Sequence, residues 1–213
     1  MKKPILFIFI IFLAAFKQDK SPRFVGTVVA EFLNNGRQMK LIKEFAFVDA
    51  KKKKWHVPAG HIVDGASIPK PFWSIIGGPF EGKYRRASVV HDYYCDIKII
   101  PWGEVHRMFY EACITEGADE ILAKTMYAAV YAAGPRWATS VKTIIASSGN
   151  GIGKPKTLRV ETFTILDGTG NSEVAERTVE WINSNNPTLN EIEKKLAPQL
   201  KYTITSKREI IKK

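Results

Sequence analysis

Val63-Asp64-Gly65-Ala66-Ser67-Ile68-Pro69 is where this chain changes its manner of folding. A lone carboxylate stands before Gly, a small hydroxyl and Pro, which is the chemistry of a shaped turn rather than of a helix or strand interior. Upstream the pattern is that of strands. Residues 23–33 are rich in β-branched and aromatic side chains, and Asn34-Asn35-Gly36 follows as a hairpin signal. Residues 39–48 return as a second strand, the run Lys51 to Lys54 makes a solvated turn, and Trp55-His56-Val57-Pro58 begins a third strand. The first third therefore reads as an antiparallel meander.

Downstream the period becomes helical. Phe72-Trp73-Ser74-Ile75-Ile76 is a short apolar segment closed by Gly77-Gly78-Pro79. Residues 84–96 place Ala87, Val90, His91 and Tyr94 on one face. Pro101 interrupts, residues 104–116 turn Val105, Met108, Phe109 and Ala112 inward, and residues 118–133 form an Ala-rich third helix stopped by Gly134-Pro135. Residues 146–156 read as a linker. Beyond them the pattern gives a strand at 158–166, helices near 173–184 and 188–196, and a strand at 201–206. The expected fold is α+β. A small antiparallel sheet packs on a three-helix layer over residues 21–145, and a small α/β unit is appended over residues 157–213.

Composition bounds the function. Hydrophobic residues make up 45% of the 213, enough for a packed core, and 32 basic against 21 acidic residues leave a net charge of +11. Such a surface favours an anionic partner. At the N-terminus, Lys2-Lys3 precede an apolar run from Pro4 to Phe16, the order and length of an export signal over residues 1–20. The run is shorter than the roughly 20 residues of a membrane span. Export directs attention to envelope components, a wall polymer or a lipid, with the protein periplasmic, extracellular or attached to the membrane. It argues against nucleic acid, and no interleaved basic and aromatic stripe supports such binding.

Four side chains are candidates for chemistry: Asp64, His91, Asp92 and His106. Asp64 ends a strand at a turn, where its oxygens can either project into a cleft or cap local N–H groups. His91 and Asp92 point about 100° apart on a helix, so they can flank one cleft. His106 opens the next helix and can meet His91 or Asp92 across the groove. The set suits a divalent ion, zinc or calcium, or a general base with its orienting carboxylate. The plain alternative is a hydrogen-bonded core. Ser67 is a nucleophile, a ligand or a helix cap, without a Gly-x-Ser-x-Gly elbow around it. Cys95 and Cys113 are the only cysteines, and a bridge between neighbouring helices is expected of them in an oxidising compartment. A Cys95–His91 metal site ranks below that bridge.

The block Asp64 to Pro69, then Phe72-Trp73, Ile76-Gly77, Pro79, Gly82, Ala87 through His91-Asp92, and Met126 to Val130 resemble a bacterial and phage family, domain of unknown function 1353. The likeness spans about residues 22–138 and implies little about activity. The family pattern carries Asp at the position of His106, an exchange that keeps the capacity to bind metal or accept a proton. A weaker likeness is to secreted phospholipase A2 enzymes, which use a helical His-Asp pair with calcium. The expectation is an exported hydrolase acting on an envelope component through Asp64, His91, Asp92 and His106, with or without a divalent metal. The alternative is a non-catalytic envelope or phage-related binding module in which both blocks are structural. A calcium-dependent phospholipase-like enzyme is a minor third reading.

Overall fold

The computed structural model describes residues 21–35, 38–65, 82–146 and 156–212. The N-terminal apolar run, Ser67, the Phe72-Trp73 segment and residues 147–155 of the expected linker lie outside them.

The meander is present, and it is bent. Its six short strands are β1 (Arg23–Val25), β2 (Ala30–Phe32), β3 (Met39–Leu41), β4 (Phe45–Val48), β5 (Lys54–Val57) and β6 (Ile62–Val63). They make two three-stranded sheets, β1-β4-β5 and β2-β3-β6. The register shows these to be two halves of one object. Arg23 pairs with Val48 and Ala30 with Leu41 at one constant offset, and Phe45–Val57 and Met39–Val63 share another. Between the halves, the Ile42 N–H still donates to the Val29 carbonyl at 2.7 Å. Three long arms thus run in register through a bend. Gly26 marks it, with a φ of +85° that a side chain would strain.

The lysine run is a turn, as read, but an anchored one. Lys52 takes φ 70°, and its N–H donates to the Asp49 carbonyl. The buried Asp49 carboxylate accepts from the Lys53 N–H at 2.8 Å and from the Trp55 indole at 3.0 Å. Lys53 Nζ reaches Glu104, and the Ala50 N–H reaches Glu111, which ties the turn to the helical layer.

That layer holds α1 (Arg85–Ile97), α2 (Trp102–Glu116) and α3 (Glu120–Ala133). The three helices end where the chain chemistry ends them. Lys98 closes α1 in the left-handed conformation, and Gly117 does the same for α2 with φ 98°. Asp119 caps α3 by accepting from the Leu122 N–H. The start of α1 has no local cap. Glu116, from the end of α2, supplies one through its carboxylate, which accepts from the N–H groups of Arg86 and Ala87. Leu41, Phe45, Phe47, Trp55, Val57 and Val63 from the meander are buried with Val90, Phe109 and Met126 from the helices in one core.

The C-terminal part contains β7 (Arg136–Ala146), β8 (Lys156–Asp167), α4 (Ser172–Asn185), α5 (Leu189–Leu196) and β9 (Thr203–Lys212). The long strand β7 has no counterpart in the sequence reading. It forms because β8 offers it an eleven-residue antiparallel partner, and β9 adds to the other edge of β8. The two C-terminal helices pack on α3. Ala175, Ile182, Ile192 and Leu196 belong to the same buried cluster as Met126 and Val130. A capping box at Thr188 and Glu191 starts α5. The whole is α+β, with five helices and three small antiparallel sheets among the described residues.

Candidate functional site

The helical period of α1 turns His91 toward α2, and the short Pro101 connection brings His106 alongside it. The two imidazoles meet directly. His91 Nε2 lies 2.9 Å from His106 Nδ1, and both rings are fully buried. Phe109 covers one side of His91 at 4.5 Å between ring centroids, and Trp102 stands 5.5 Å from His106. Burial is the main cause holding the His106 pKa well below its usual value. The neighbouring His91 and the Arg136 guanidinium push the same way, against a smaller opposing effect from the Pro135 backbone. Burial thus holds His106 in its neutral form, and one hydrogen bond joins the two ring nitrogens.

Asp92 faces a different task. Its Oδ2 accepts the backbone N–H of Asp64 at 2.6 Å and that of Gly65 at 3.4 Å. Gly65 takes φ 98°, which lets both amides turn toward one oxygen. Asp92 is thus the clasp of the turn that ends the meander. Burial raises its pKa to about 7, with the Asp64 and Asp96 carboxylates adding to the rise and the two N–H donors opposing it. The structure brings the four expected residues together as two pairs. His91 joins His106 by side chains, and Asp92 joins Asp64 through the Asp64 backbone rather than its carboxylate.

One thiol-bearing neighbour, Cys95, completes the inner cluster. The donor atoms of His91, Cys95 and His106 lie within 4.8 Å of one another, and the group includes neither Asp64 nor Asp92. Its geometry is that of a hydrogen-bonded dyad rather than a chelate. Cys95 Sγ is 3.6 Å from His91 Nε2 and 3.8 Å from Nδ1. Near-equal distances put the sulfur across the ring, off the lone-pair direction of either nitrogen. Two nitrogens around a tetrahedral zinc stand about 3.3 Å apart. The observed 2.9 Å is an ordinary hydrogen bond, which a metal would have to displace.

The expected Cys95–Cys113 bridge is not formed, and both cysteines are free and buried. Helix geometry explains it. The two histidines are level, but Cys95 lies one turn beyond His91 toward the connection and Cys113 two turns beyond His106 away from it. The sulfurs are separated by roughly three turns, about 16 Å, far beyond disulfide reach. Burial pushes both thiols well up, so they are protonated and poor nucleophiles.

Two participants escaped the sequence reading. Arg136, the first residue of β7, stacks over Trp102 at 3.8 Å, Tyr202 at 4.2 Å and Tyr131 at 4.7 Å, and it roofs the His106 side. His61 sits 3.2 Å from Asp96 and edge-on to Tyr93. Only its place three residues before Asp64 could have pointed to it.

Residues 39–130 match the family described as Protein of unknown function (DUF1353). Two uncharacterized proteins of Sinorhizobium fredii (strain NBRC 101917 / NGR234) are similar over that part. Uncharacterized protein y4jT is 49% identical over 104 residues, which cover 49% of this chain and 31% of the relative. Uncharacterized protein y4iH is 42% identical over 99 residues, covering 46% and 41%. The match thus spans less than half the length of these relatives. No solved structure matches. Among the described residues no helix is long and apolar enough to cross a membrane.

Proposed function

We propose that this protein is a non-catalytic, exported module that binds an anionic component of the cell envelope, with the Asp64 turn and the His91-Asp92 pair serving as internal fasteners. One observation carries the reading: the groups best suited to chemistry bond to each other inside the protein. His91 and His106 are fully buried and bonded together, and the Asp92 carboxylate closes the Asp64 turn. A side chain without exposure has no route to a polymeric substrate. The net charge of +11 supports an acidic partner, and the Lys2-Lys3 start with its apolar run supports export.

A second reading, a hydrolase of an envelope component, is favoured by Asp92. A carboxyl group held at about 7 is tuned for proton transfer near neutral pH. One experiment separates the two. Purified protein is offered wall polymer and phospholipid vesicles, with and without chelator, alongside Asp92→Asn. The binding module retains an anionic component without turnover. Hydrolysis by the wild type that disappears in a folded Asp92→Asn variant overturns it in favour of the enzyme.

A further inference from the structure

A cleft of about 420 Å³ opens between the meander and the start of α1. Its floor is the bend of the first two arms, with Val28, Ala30, Phe32 and Met39, and its wall is Val89 on α1. That size falls in the range of about 300–1,000 Å³ typical of small-ligand sites. The lining is mostly apolar, and its charge is confined to one rim. There Glu116 is already engaged by the N–H groups of Arg86 and Ala87 and by Arg86 Nε. Arg86 is stacked on Phe24 as well. Arg85 is exposed and makes no hydrogen bond or ion pair with the described residues. The rim therefore presents one uncommitted positive charge beside an apolar trough.

The rim has the same mixed character. Phe32, which lines the cleft, is 74% exposed. Lys83, two residues before Arg85, is exposed as well. Apolar side chains interspersed with cations are what a lipid headgroup layer accommodates, the apolar groups entering the acyl boundary while the cations meet anionic headgroups. A purely polyanionic partner would leave Phe32 and the trough unused.

We propose that this cleft holds one acyl chain of an anionic lipid, with Arg85 at the headgroup. The proposal rests on the binding-module reading and names its ligand class and its place.

The test uses the full chain and vesicles of phosphatidylcholine alone or mixed with phosphatidylglycerol, followed by flotation. Competition with monomeric lysophosphatidylglycerol, glycerol phosphate and polyglutamate separates a lipid from its headgroup alone and from an acidic polymer. Binding is expected only with phosphatidylglycerol, and only the lysolipid should compete. Ala30→Trp, which fills the trough, and Arg85→Glu should each weaken binding about tenfold or more, the equivalent of roughly two methylenes withdrawn from an apolar site. Lys207→Glu, the same charge change on β9, should leave it unchanged. If Ala30→Trp fails to fold, the exposed Phe32→Ser carries the apolar arm of the test. Competition by polyglutamate or glycerol phosphate as strong as by the lysolipid overturns the proposal. Equal losses in Arg85→Glu and Lys207→Glu overturn it too. Retention on wall polymer without vesicle binding sinks the lipid proposal and leaves the module standing, whereas binding to neither sinks both.

Discussion

Two buried polar clusters in this protein solve the same problem in opposite ways. Between α1 and α2, the buried His106 is held neutral and meets His91 through a ring-to-ring hydrogen bond. Between α3 and the end of α4, Lys124 is almost as deeply buried and is surrounded by acceptors. Its ammonium meets Asn186 Oδ1 at 2.6 Å, the Asn186 carbonyl at 3.3 Å and Glu120 at 2.6 Å. The Glu120 carboxylate stays half exposed. A charge can lie at an edge where water still reaches its partner. In the centre the charge is given up instead. The comparison also separates the two jobs. The histidine pair joins two helices of the family-matched part, whereas Lys124 joins that part to the C-terminal helices.

The contrast breaks or holds first on stability. His91→Ala removes a fully buried ring and its bond to His106, and should cost about 3 kcal/mol or more in urea unfolding. Equality with the loss in Lys124→Met would erase the distinction.

The pH dependence sharpens it. Asp92, held at about 7, is favoured in its protonated form by folding, so its contribution is complete below about pH 4 and lost as pH rises through about 7. His106, held below its usual value, is favoured in its neutral form; its contribution is complete above about pH 6.5 and lost on acidification. The two slopes oppose each other in the wild type. His106→Gln should leave stability falling from pH 5 to 8, and Asp92→Asn should leave it rising from pH 5 to 7. Slopes of one sign in both variants would refute the assignment.

Smaller effects follow. Glu116→Gln keeps the shape of the borrowed cap at the start of α1 but weakens its charge, and should lower stability by about 1 kcal/mol. Lys124→Met replaces a buried cation by an apolar chain of similar length, leaving Glu120 free to turn to solvent. Its cost should stay within about 1 kcal/mol.

Much of this was legible in the residues. Asn34-Asn35-Gly36 and the alternation on either side predict the meander, and the spacing of Ala87, Val90, His91 and Tyr94 predicts the face that meets α2. The meeting of His91 with His106 follows from the length of the connection. What escaped depends on which atom does the work. Asp64 reads as a carboxylate, but its N–H is what Asp92 takes. Cys95 and Cys113 sit on neighbouring helices, as an expected bridge requires, but their heights along the axes differ by turns that only the level of the histidines fixes. The strand β7 was hidden because Gly134-Pro135 reads as an end, and the partner that makes a strand of the following residues lies across the segment read as a linker.

The bend in the meander has a consequence for how this protein can change length. Because all three arms keep step through it, one residue added within an arm would turn every side chain past that point to the opposite side. Phe45 and Phe47 would trade places with Ala46 and Val48, and the fault would be passed on to both neighbours. Insertions and deletions are tolerable only in the loops, so homologues that vary in size should do so at the Asn35 tip or the lysine turn.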